Sequence, residues 1–313
     1  MLHVRIGVLA LSALVSPAIA GSALAQSVVE EFVSDPTLLH NGVQFDVRGG
    51  DTGQFRWLQF TPVRYEGDQG GALRVTYDST LPTSRLFTPI GGGFTQDDDF
   101  LFGAVLTIQP DGFAPDPYGF HPIAFSLFNA TTTGNDRTGD LLDFASDTFD
   151  TVEMAYFPNV SPFFGGPFLS PSAFGVAVGN DAFANFGFGS IPFPLQPGVT
   201  YLIELEYTAA TRTLTAQVSR VRRDAMAIPV PGGRVTANLS SLSGFLVNSL
   251  AVSAYFDGFN AFAASGRSLY AVVDYDLLYV GPRTGSANLP AVQQALSRFA
   301  RPGRVAVRQP ALR

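Results

Sequence analysis

The stretch "DTVEMAYFP" (150–158) sets a carboxylate, Glu153, in a run of strand-forming residues, with Ala155 and Phe157 at the next alternate positions. Side chains two apart on a strand share one face. A face bearing two acids could protonate a leaving oxygen with one carboxyl while the other attacks or activates water. Here the alternate positions carry a methyl and a phenyl group, and neither transfers a proton. Glu153 keeps two readings: a carboxylate tied to neighbouring strands, or an acceptor for a ligand's hydrogen-bond donors in a groove. For the second, Phe157 is the stacking partner, because Tyr156 points to the opposite face of a regular strand. Trp57, the single tryptophan, offers another flat ring. In "FRWLQF" (55–60) it shares a face with Phe55 and Gln59, as part of the core or as a stacking platform for a ligand.

Other chemistries are excluded by residue type. The chain has no cysteine, so thiol catalysis, disulfides and cysteine-ligated zinc fall away. After the first few residues only His40 and His121 remain, too few for a multi-histidine metal centre, and no G-x-S-x-G elbow accompanies them. The acid groups "DDD" (97–99) and "DLLDFASDTFD" (140–150) do not match the D-x-[DN]-x-[DN]-G calcium loop. Calcium nevertheless takes oxygens from separate segments, so a linear motif is not required.

The elements that must position these residues are strands. "ALRVTYD" (72–78), "LFGAVLTI" (101–108), "PIAFSLFNA" (122–130), "AFGVAVG" (173–179) and "YAVVDYDLLYV" (270–280) are short β-branched and aromatic runs bounded by Gly, Pro, Asn or Asp. In "YLIELEYTAATRTLTAQVSR" (201–220), two runs of period two flank a polar turn and predict an antiparallel hairpin with one buried face. Many short strands with Gly- and Pro-rich turns imply a sandwich or barrel. The Phe-, Pro- and Gly-rich segments 158–172 and 184–198 read as loops, burying their phenylalanines over the sandwich ends or presenting them to a partner.

The ends of the chain differ from its body. Arg5, an apolar run (6–15) and "ALA" (23–25) order themselves as a secretory signal peptide cut after Ala25, the apolar core being too short to span a bilayer. The reading predicts a secreted, extracellular or periplasmic protein with no transmembrane segment. Every basic residue is Arg. Residues 26–280 carry 26 acids against 12 arginines, a net of −14, whereas 281–313 carry six arginines and no acid. An acidic body argues against nucleic acid as a partner. "LPAVQQALSRFARPG" (289–303) spaces Val292, Leu296 and Phe299 at i, i+4 and i+7 between two prolines, which predicts a short amphipathic helix with a basic far side. That helix would dock on the acidic body or meet an anionic surface.

Taken in order, "FRW" (55–57), 72–91, "DDDFLFGAVLTI" (97–108), "VEMAYFP" (152–158), the 205–218 strand–turn–strand and "VVDYDLLYVGP" (272–282) resemble secreted bacterial members of the concanavalin A-like lectin/glucanase superfamily. The resemblance spans most of 28–282. It implies an all-β, two-sheet antiparallel jelly-roll sandwich over 26–282, with one concave and one convex sheet, followed by a basic tail (283–313). It further implies a glycan ligand, an extracellular or cell-envelope polysaccharide, on the concave sheet or its edge loops. Family-sixteen glycoside hydrolases of that superfamily carry E-x-D-x-E or E-x-D-x-x-E on one strand. Glu153 matches the first acid only; Ala155 replaces the aspartate, and the last acid falls on Phe157 or Pro158. The expectation is a lectin-like, non-catalytic protein with carbohydrate contacts at Glu153, Phe157 and Trp57. Alternatives are a polysaccharide hydrolase or lyase using Asp143, Asp147 or Glu153, and a surface or matrix structural protein. The superfamily's structural calcium, if present, would draw on Asp274 in the final strand.

Overall fold

Fifteen strands and two short 3-10 turns, at 52–54 and 209–211, account for nearly all regular structure among the described residues. The computed structural model describes residues 27–40, 42–49, 52–60, 70–78, 81, 84–115, 122–131, 150–158, 166–175, 182–184, 193–222, 226–242, 244–254, 269–283 and 296. In chain order the strands are β1 (Val28–Glu30), β2 (Asp46–Gly49), β3 (Phe55–Phe60), β4 (Gly70–Asp78), β5 (Ser84–Thr95), β6 (Phe100–Pro115), β7 (Ile123–Phe128), β8 (Thr151–Phe157) and β9 (Phe168–Gly175). There follow β10 (Ala182–Ala184), β11 (Thr200–Thr208), β12 (Thr213–Val221), β13 (Ala227–Asn238), β14 (Leu246–Ala254) and β15 (Leu269–Pro282).

These strands form two antiparallel sheets. One is eight-stranded, in the order β13-β12-β11-β6-β15-β4-β3, with β1 also paired to β15. The other is seven-stranded, in the order β10-β9-β8-β7-β14-β5-β2. Their inner faces meet in one core, where Phe102, Phe125, Tyr207, Leu214, Val252 and Tyr275 are all buried. The chain is thus an all-β, two-sheet sandwich, as its strand-rich composition requires.

The hairpin predicted over 201–220 is β11 and β12, with Ile203↔Val218, Leu205↔Ala216 and Tyr207↔Leu214 paired across it. Its turn closes with Arg212 in the left-handed region at φ 49°, where Arg212 N donates to Ala209 O. An αL residue after a tight turn matches the right-handed twist of the two strands.

The segment 158–172 departs from the loop expected there. Phe168–Ser172 is the first part of β9, and Pro171 sits opposite Met154 of β8. There β9 has a ladder on one side only, because β10 joins it later, at 173–175. Such a position tolerates proline's missing N–H. Of the phenylalanines in the two presumed loops, Phe168 and Phe193 are buried; 159–165 and 185–192 lie outside the described residues, as do His121, Asp143 and Asp147.

Candidate functional site on the seven-stranded sheet

Strands β7 and β8 are buried along their whole lengths, on both faces. Ile123, Phe125 and Leu127, with Val152, Met154 and Tyr156, enter the core. By the period-two rule the alternate residues form the outer face: Ala124, Ser126 and Phe128 on β7; Thr151, Glu153, Ala155 and Phe157 on β8. Ser170 and Ser172 on β9, Ser249, Ala251 and Ser253 on β14, and Arg85 and Phe87 on β5 continue it.

Register places these residues in rows across the sheet. One row reads Phe87, Ala251, Ser126, Glu153, Ser172; the next reads Arg85, Ser253, Ala124, Ala155, Ser170. The middle is a floor of Ala and Ser with two aromatic pairs beside it. Phe157 stacks on Phe168 at 4.9 Å between centroids, and Phe87 meets Phe128 edge-on at 5.4 Å. Arg85 lies flat in this face. Its Nε donates to Ser253 Oγ at 2.9 Å, and its guanidinium carbon sits 4.3 Å from the Phe128 ring centroid, a cation–π contact.

Glu153 is 5% exposed and accepts a long hydrogen bond from Ser172 Oγ at 3.4 Å. Ser126, directly opposite it on β7 and 1% exposed, has no hydrogen-bond partner for its hydroxyl among the described residues. An unpaired buried hydroxyl costs about 1–3 kcal/mol in a packed interior, so a serine beside a buried carboxylate is an expensive way to fill space. Neither Ser126 nor Arg85 was singled out by sequence reasoning. Serine in "IAFSLF" looks like a tolerated small residue until register sets it against Glu153.

Of the predicted residues, two sit on this face and two lie on the other sheet. Glu153 and Phe157 share the outer face of β8, about 13 Å apart along the strand. Trp57 belongs to the other sheet, on β3; it is half-buried against the core, and its Nε1 donates to Phe32 O at 2.9 Å. Gly71 of β4 makes room for this, since a Cβ there would strike both Phe32 O and the indole nitrogen. Asp274, on the eight-stranded sheet, takes a two-pronged contact from Arg74, Nε at 2.7 Å and Nη2 at 2.8 Å, and a third donor from Gln109 at 3.0 Å. The hydrogen bond to Asp274 holds the Arg74 guanidinium even higher than its usual range. No cluster of three or more histidines and carboxylates occurs among the described residues. The "DDD" acids organise a turn: Asp98 caps Thr95, and Asp99 accepts from Ala209 N at 2.7 Å.

No family model matches the chain, and no curated protein sequence matches it. Among solved structures it is similar to the lectin UEA-II complexed with galactose, at 13% identity and a TM-score of 0.36, over 76% of this chain and 98% of that one. It is also similar to basic winged bean lectin with Tn-antigen, at 13% identity and 0.40, over 77% and 100%. For the binding domain of Paraclostridial Mosquitocidal Protein 1 the values are 10% and 0.43, over 88% and 52%. At these scores nothing about a ligand passes to this chain. The sandwich itself rests on the strand ladders described above.

Proposed function

We propose that this is an exported, non-catalytic carbohydrate-recognising sandwich whose candidate contact residues are the buried polar row on the outer face of the seven-stranded sheet. The observation that carries the reading is the row Ser126–Glu153–Ser172: a buried carboxylate between two serines, one with an unanswered hydroxyl. Sugars present arrays of hydroxyls that both donate and accept, and a carboxylate flanked by serines offers both roles within one row. Phe157 stacks on Phe168 at one side of the floor, both rings buried, and Arg85 holds its buried guanidinium at the other. Trp57 would act only at a distance, by fixing β3 against the chain around Phe32.

The non-catalytic part rests on side chains rather than on any missing group. Among the described residues, Ala155 and Phe157 follow Glu153 on the same face, and Asp46, in line with Glu153 beyond Ser126, Ala251 and Phe87, stands four strands away, about 19 Å; Asp143 and Asp147 lie outside those residues. Glycoside hydrolysis needs its two carboxyls within roughly 5–9.5 Å. Export rests on the signal-like first 25 residues, with cleavage after Ala25. No helix of the described residues is long and apolar enough to cross a membrane.

Affinity electrophoresis of the exported chain through gels cast with a panel of polysaccharides, with and without chelator, tests this. Retardation by one polymer that Glu153→Gln and Ser126→Ala both reduce is the expected result. Shortening of that polymer in the gel would overturn the non-catalytic reading. No retardation across the panel would overturn recognition itself.

A further inference from the structure

The eight-stranded sheet also carries an apolar outer patch, and one residue covering it belongs to the C-terminal segment. Val105 of β6, Leu202 of β11, and Leu277 and Tyr279 of β15 form a buried cluster separate from the main core. Val29, Leu101, Val221 and Ala227 border it. The residue that completes the cluster is Leu296, helical and 6% exposed, fourteen positions beyond the end of β15 at Pro282. We infer that this face is the seat of the chain's own C-terminal segment, anchored there by Leu296.

Three further observations fit that occupant. Backbone and side-chain contacts of Arg283 fasten the start of the segment: Arg283 N donates to Asp99 O at 2.9 Å, and its Nη1 lies 2.7 Å from Glu206 Oε1. The patch is edged by Glu204 and Glu206, whereas 281–313 holds six arginines and no acid, so charge favours this segment over a neutral or acidic partner. The apolar positions 292, 296 and 299 fall on one helical face, and Leu296 is the middle one; Val292 and Phe299 lie outside the described residues.

The chain lacks cysteine, which makes a single introduced thiol an unambiguous reporter. In the full chain, Leu296→Cys should react with a thiol reagent about 100-fold more slowly than a Cys at exposed Ser240, and equally fast in denaturant. Leu296→Asp should leave the far-ultraviolet spectrum of the sandwich unchanged, yet speed proteolysis between 284 and 313 and create a dye-binding apolar surface. Equal native reactivity at the two cysteines would overturn the inference. So would protection that vanishes on dilution, which would assign the seat to a second copy, or protection seen only with anionic vesicles, which would assign Leu296 to a lipid surface.

Discussion

At Ser126 and Glu30 burial and chemistry pull in opposite directions. Truncating Ser126 to alanine removes an unsatisfied hydroxyl without opening much space. We expect Ser126→Ala to hold or raise stability by about 1 kcal/mol in urea denaturation, while weakening polysaccharide retardation. A residue kept only for packing would not separate those two readouts. Glu30 accepts from Phe32 N at 2.6 Å but is buried, and burial above all lifts its pKa from 4.5 to about 7, with nearby Glu31 adding to the effect. Between those values the folded state keeps a proton that the unfolded chain has lost. Glu30's contribution to stability should therefore be complete below about pH 4.5 and fall as pH rises to about 7, by on the order of 3 kcal/mol in all. Glu30→Gln keeps an acceptor for Phe32 and should flatten that part of the profile in pH-dependent melts. Glu153 was legible in the sequence as a lone carboxylate on a strand face. Its serine partners were not, because they come from β7 and β9, and register between strands distant in sequence leaves no local trace.

Local pattern was a good guide to elements wherever one face meets water. The β11–β12 hairpin alternates cleanly, and both its register and its turn follow from that alternation. Where both faces are covered, as in β7 and β8, the pattern gives a strand but not a direction for each side chain. Proline misled at β9, where a one-sided ladder accepts Pro171. Some glycines mark close approaches that only the assembled sheet explains. Tyr279 of β15 crosses over Gly103 of β6 to reach Glu204 of β11, its hydroxyl 2.6 Å from Glu204 Oε1. A Cβ at 103 would lie 2.6 Å from that hydroxyl and 2.8 Å from Ile203 O. Gly103→Ala should lower stability by about 2–4 kcal/mol in denaturant titrations, since strand backbone cannot move aside cheaply. On the neighbouring strand, Arg74→Ala would strand the largely buried Asp274 carboxylate. A loss of about 2 kcal/mol is expected, and Asp274→Asn in the same background should recover part of it.

At the scale of the whole molecule the sandwich was readable from composition, and its topology was not. Nothing in "YAVVDYDLLYV" tells that it lies in the middle of a sheet rather than at an edge. The ladders show β15 between β6 and β4, with Tyr275 paired to Leu73 and to Leu106, and β1 laid along its far end. The division of charge, acidic body and arginine tail, was visible at once, and the buried Leu296 gives that tail a place to rest. A chain stopped at residue 268 should lack β15 and fail to fold, giving no cooperative thermal transition in circular dichroism.

That central position of β15 has a consequence in time. The ladders that seal the larger sheet join residues about two hundred positions apart, such as Val75 with Val273. Contacts so distant along the chain form late and slowly. A ribosome must release nearly the entire body before the sheet can close, and until then β4 and β6 wait with open edges for the same missing strand. The polypeptide therefore remains threadable for almost as long as it is being made, and locks only once its last strand is delivered.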